Sequence, residues 1–177
     1  MCDQYPYALV LIEPIKFRVG ASFARRSGKF ATNPSVLDYL RDTSSKKSPG
    51  SIVPGMYLIA LVSDKPGTLE LRELSLAIRT PDGLVLVVGC SHPGVEHIVQ
   101  EASAIDPHIN LLFGGLHQIQ APDPEVERIA RVLHDQYKLD RIAPGHCTGE
   151  PEFAALKKTF GDHYLYAGVG SVVDLPK

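Results

Sequence analysis

The hydrophobic pattern changes period twice along this chain, and each change marks an architectural step. Gly55–Ser63 (GMYLIALVS) is an apolar run bounded by turn residues and predicts a strand, with Lys65-Pro66-Gly67 as the turn that follows. Leu74–Arg79 (LSLAIR) alternates, Thr80-Pro81-Asp82-Gly83 is turn chemistry, and Leu84–Val88 is apolar again, which together predict a β-hairpin. After Gly94 the period lengthens to that of a helix. Val95, Ile98, Val99 and Ala102 fall on one helical face. A strand is predicted at Asn110–Phe113. A second helix follows, with Asp123 as cap, Pro124 at its first position, and Val126, Ile129, Ala130, Leu133 and Tyr137 as its buried stripe. Arg141–Ala143 predicts a third strand, and a third helix starts near Glu150-Pro151 with Phe153, Leu156 and Phe160 inward. The tail, Tyr164–Leu175, predicts two short closing strands around Gly168 and Gly170.

Residues 1–50 are weakly patterned. Tyr7–Ile12 predicts a strand, Asn33–Arg41 a short helix capped by Asn33, and Thr43–Gly50 (TSSKKSPG) a polar linker. The division read from this is a poorly defined segment over 1–50 and an α/β unit over 51–177. An antiparallel β segment followed by βαβαβα implies sheet packed on sheet with helices outside.

Three of the predicted strands share a grammar: an apolar run, a glycine, then a histidine. They are GLVLVVGCSHPG (Gly83–Gly94), NLLFGGLH (Asn110–His117) and DRIAPGHCTG (Asp140–Gly149). Glycine permits a sharp turn just past a strand, and open α/β sheets place their chemistry at such strand ends. His92, His117 and His146 are therefore expected at one edge of one sheet. A lone histidine is ordinarily structural, and His97, His108, His134 and His163, away from these glycine turns, are read that way.

Composition narrows the function classes. The 177 residues are 44% hydrophobic and 21% charged with a net charge of −2, ordinary for a globular domain and without the basic excess that nucleic acid or an anionic membrane requires. No membrane span or signal peptide is predicted, and a cytoplasmic location is the default expectation. Cys2, Cys90 and Cys147 are too few, and odd in number, for a disulfide framework. Imidazoles and thiolates are standard zinc ligands, and imidazoles with carboxylates also suit iron or manganese. Cys90 is read either as a small buried hydrophobe or as a thiol facing a metal, and Cys147 as structural.

The motifs GCSH, FGGLH and PGHCTG, in this order, resemble the C-terminal half of the metallo-β-lactamase fold. More narrowly they resemble the branch that includes the archaeal dihydropterin-type ribofuranosyl-aminobenzene phosphate synthases, over roughly Ile52–Pro176. The resemblance implies an αββα sandwich, here incomplete: the C-terminal half plus a short N-terminal segment. It implies a metal-dependent hydrolase or a dihydropterin-synthase-like enzyme acting on a small-molecule substrate, a phosphorylated one among the candidates, with zinc as the expected metal and iron or manganese as alternatives. It implies His92 and His146 as metal ligands, with His117, Cys90 and Ser91 contacting the substrate or backing the ligands. The bridging Asp of the family is absent, and Cys90 or Ser91 stands near its place.

The family's HxHxDH motif is also absent, since no histidine precedes His92. The chain is accordingly expected to be truncated relative to the family, with an incomplete metal site. Its exposed inner sheet face would be covered in a homodimer or leave the monomer prone to aggregate. Two other readings stay open: a non-catalytic binding or interaction module derived from the fold, and a mononuclear metal protein using His92 and His146 with His117 or Cys90.

Overall fold

The computed structural model describes residues 16–18 and 49–176. Eight strands and three α-helices follow in the order β1 (Lys16–Arg18), β2 (Gly50–Val53), β3 (Met56–Val62), β4 (Arg72–Thr80), β5 (Gly83–Val88), α1 (Val95–Ser103), β6 (Ile109–Gly114), α2 (Asp123–Arg131), β7 (Arg141–Pro144), α3 (Glu150–Phe160) and β8 (Val172–Asp174). The predicted strand Tyr7–Ile12 and helix Asn33–Arg41 lie outside the described residues.

Strands β2 to β7 form one six-stranded sheet in chain order. The first four are an antiparallel meander, and β5, β6 and β7 are parallel. The change of period at Gly94 explains the switch. A two-residue turn can only reverse the chain, whereas the helices after β5 and β6 carry it back to start a parallel strand. Strand β5 is its centre, with all six residues buried. Its side chains alternate between faces. Leu84, Leu86 and Val88 join the cluster with Val95, Ile98 and Val99 of α1, Ile129 and Ala130 of α2, and Leu156 and Phe160 of α3. Val85 and Val87 face the other way, toward Leu111, Ala143, Ala167 and Val173. Burying a Val or Leu side chain contributes about 1.5–3 kcal/mol, so this strand anchors both layers.

The second face is where expectation and structure part. A bare inner sheet face was expected, yet Val85, Leu111 and Ala143 are at most 1% exposed. The chain's own tail supplies the cover: Leu165, Ala167, Val173 and Leu175 pack there, and β8 pairs antiparallel with β1. The tail forms one strand rather than two, because Tyr164 makes only an isolated bridge to Ile142 and a turn closes between Gly168 and Ser171.

Two helix details also differ. Pro122 rather than Asp123 occupies the cap of α2, and no side chain caps it. In α3 the buried positions are Glu152, Leu156 and Phe160, while Phe153 is half-buried. The stripe of α1 is as expected, with Val95, Ile98, Val99 and Ala102 all buried. Among the described residues, no helix is long and apolar enough to cross a membrane.

Candidate functional site

Because β5, β6 and β7 run parallel, their C-terminal ends meet at one edge, and the loops that leave them carry all three motif histidines. Backbone hydrogen bonds extend the ladder into those loops: Gly115 N–H donates to Gly89 O at 2.9 Å, and Gly145 N–H to Gly114 O at 2.9 Å. Side chains add two cross-ties. The Ser91 hydroxyl donates to Gly115 O at 2.6 Å, and the Thr148 hydroxyl accepts from Leu116 N–H at 3.1 Å while donating to Gly145 O at 2.7 Å. Each loop also holds one non-glycine residue in the left-handed region: Ser91 (φ 63°), His117 (φ 53°) and His146 (φ 52°). Such conformations cost about 1–3 kcal/mol each and cluster at functional sites, held by surroundings that over-determine them.

A fourth element supplies a residue that the motifs did not reveal. Strand β4 is antiparallel to β5, so the start of β4 reaches the same edge. There the Glu73 carboxylate accepts from Ser91 N–H (2.6 Å), His92 N–H (2.8 Å) and His92 Nδ1 (3.0 Å). A carboxylate only accepts, so Nδ1 carries a proton, and in the neutral imidazole Nε2 keeps the lone pair. This is the arrangement by which metal-binding histidines are oriented and made more basic. A signal was present in the sequence: extending the hairpin register beyond its Leu76–Val87 pair brings Glu73 opposite Cys90.

The predicted residues come together in two adjoining groups. The rings of His92 and His117 stack edge-on, with centroids 4.5 Å apart and planes at 64°. Desolvation holds the His117 imidazole below its usual range, with the neighbouring His92 and His146 pushing the same way and Glu73 opposing. His146 Nε2 lies 3.1 Å from Cys90 Sγ, and that hydrogen bond raises the His146 imidazole despite its partial burial. The Cys147 thiol donates to Cys90 O at 3.5 Å. Contact with Cys147 and burial together push the Cys90 thiol well above its usual range. Cys90, His146 and Cys147 each present a donor atom within 4.8 Å of the others, and among the described residues they are the one such cluster of three or more. Ser91 is buried with its hydroxyl committed to Gly115, so it ties loops together. Cys147, read from sequence as structural, belongs to the cluster.

The four other histidines stand apart. His108 pairs with Asp140 at 2.7 Å, His134 with Asp135 at 2.7 Å, and His97 and His163 are exposed.

The donor set fits a divalent ion of borderline softness. His92 offers an oriented lone pair, and the cluster offers one imidazole and two sulfurs.

Known proteins resemble parts of this chain. No family model matches it. It is similar to the 7,8-dihydropterin-6-methyl-4-(β-D-ribofuranosyl)-aminobenzene-5'-phosphate synthase of Methanocaldococcus jannaschii, 40% identical over 105 residues, which is 57% of this chain and 35% of that protein. An uncharacterized protein of the same organism is 31% identical over 92 residues, 51% of this chain and 34% of its own length. The chain thus spans about a third of the length of the curated relatives it matches. A crystal structure of a metal-dependent hydrolase of the β-lactamase superfamily superposes with a TM-score of 0.65 at 24% identity, covering 75% of this chain and 58% of that one. The fold is that of the metallo-β-lactamase superfamily. The synthase is a relative in the branch that the three motifs resemble.

Proposed function

We propose that these 177 residues carry one share of a metal-dependent hydrolase or synthase site of the metallo-β-lactamase type, with His92 and His146 as metal ligands. The observation that supports this reading is the Glu73–His92 bond, which engages Nδ1 of His92 and leaves Nε2 as the ring's other donor atom, beside the His117 ring. Bound there, zinc, or iron or manganese in its place, supplies Lewis acidity toward a phosphate or ester oxygen. The chain's own residues bind and orient. Glu73 fixes the His92 ring, Ser91 and Thr148 hold the loops in register, and His117, open to solvent beside His92, contacts the substrate. The synthase relative's name carries a 5'-phosphate, which supports a small phosphorylated molecule as the substrate class.

The sequence holds no HxHxDH, so ligands of that kind have to come from outside these residues for a two-metal site to close. Metal affinity follows ligand count. The chain by itself is therefore expected to retain fewer than two zinc equivalents in elemental analysis and to cleave a chromogenic phosphodiester no faster than background. Two retained metals together with robust turnover would contradict the shared-site reading.

A further inference from the structure

We propose that Cys90, His146 and Cys147 together form a one-nitrogen, two-sulfur site for a soft or borderline divalent cation, with zinc as the natural occupant. The proposal rests on His146 being a ligand, as in the reading above, and adds both thiols to the coordination shell.

The three donors come from two loops that the fold holds face to face. Their donor atoms lie within 4.8 Å of one another, and His146 Nε2 is 3.1 Å from Cys90 Sγ. A tetrahedral zinc with sulfurs at about 2.3 Å and nitrogen at about 2.0–2.1 Å would set its donors about 3.5–3.8 Å apart. The cluster is therefore near the required size, and the imidazole and the Cys90 sulfur need to part by only about 0.5 Å.

Gly115 keeps this space open. A Cβ there would stand 2.6 Å from Gly89 O, 2.9 Å from Cys147 Sγ and 3.3 Å from His146 Cβ. Any side chain at that position would crowd the Cys147 sulfur and the main chain of the Cys90 loop. Burial is graded across the cluster: Cys147 is buried, Cys90 intermediate, and His146 exposed. An ion can enter from the His146 side. Three protein ligands leave a fourth position open, as in catalytic rather than closed structural sites. On binding, each thiol gives its proton to solvent and its sulfur lone pair to the cation, so one divalent ion replaces two protons.

Cobalt(II) is the probe, added to the full chain under a non-thiol reductant. The expected result is one equivalent bound, with the thiolate-to-metal charge-transfer absorption and intense visible bands of a tetrahedral sulfur-containing site. C90S and C147S should each weaken cobalt binding by at least about 100-fold, more than the loss of a partner that merely orients a ligand costs. H92A and H117A should keep the charge-transfer band. Cys147 is buried, so alkylation of the wild type is run beside C147S as a readout that does not depend on the variant's folding. Zinc should slow modification of both Cys90 and Cys147 by a maleimide, and a chelator should restore it. Cobalt bound without charge transfer, and lost in H92A, would overturn the thiolate site while leaving the histidine reading standing. No cobalt binding, or alkylation indifferent to zinc, would overturn it as well. A charge-transfer band with zinc affinity untouched in H92A would support this site and count only against His92 as a ligand.

Discussion

Glu73 and Glu152 are both carboxylates shielded from water, and their surroundings could hardly differ more. Glu73, at the start of β4, accepts three hydrogen bonds from the loop it faces. Glu152, in the first turn of α3, is 0% exposed, and neither of its oxygens has a partner. Desolvation, with Glu125 adding to it, pushes the Glu152 carboxyl up to about 8. The helix N-terminus favours the ionised form by about 0.3–1 kcal/mol, too little to offset that burial. The difference teaches that a buried acid is defined by what meets its oxygens. One acid organises a loop through the donors that meet its oxygens, and the other is kept neutral by burial without any.

The comparison breaks most visibly through pH. The folded chain holds the Glu152 proton up to about pH 8, whereas the unfolded chain releases it near 4.5. Stability is therefore full below pH 4.5, is lost as pH rises through that window, and levels off above it, with an upper limit of about 4–5 kcal/mol. Urea unfolding at pH 5 and pH 9 should show this loss in the wild type and not in E152Q, which stays neutral at both. An equal pH response in E152Q would place the titration elsewhere.

For Glu73 the break comes from truncation. E73A strips the acceptor from two backbone N–H groups and one imidazole, costing about 2–4 kcal/mol in urea unfolding. It also frees the His92 ring, which should weaken zinc binding about 10–100-fold by calorimetry. Zinc affinity unchanged in a folded E73A would mean that His92 needs no orientation.

Two smaller effects sharpen the picture of the loops. G115A drives a methyl into main-chain oxygen and the Cys147 sulfur, for about 1–3 kcal/mol of stability in the same assay. T148V removes the hydroxyl tie between the β6 and β7 loops, for about 1 kcal/mol, with the Leu116 N–H left unsatisfied.

Much of this architecture was legible from periodicity. The β4–β5 hairpin, the buried stripe of α1 and the three glycine-ended strands each rest on a strong repeating pattern, and each appears within a residue or two of its expected bounds. What stayed hidden depends on pairing across the chain. Glu73 looks like any polar residue in an alternating strand until the hairpin register sets it against the Cys90 loop. Glu152 reads as first-turn helix decoration, and nothing local says that α3 turns it inward in place of Phe153. Cys147 gains meaning only when β5 and β7 bring two loops together. The covered second face was missed for the same reason, since the tail that covers it is short and weakly patterned.

The central claim is that the loops after β5, β6 and β7 hold a metal ion. Zinc titration by calorimetry, on the wild type beside H92A and H146A, tests it most directly. The account predicts saturable binding at fewer than two equivalents in the wild type, weakened in H92A and abolished in H146A, with both variants folded. Zinc bound equally by all three proteins, or by none, would contradict it.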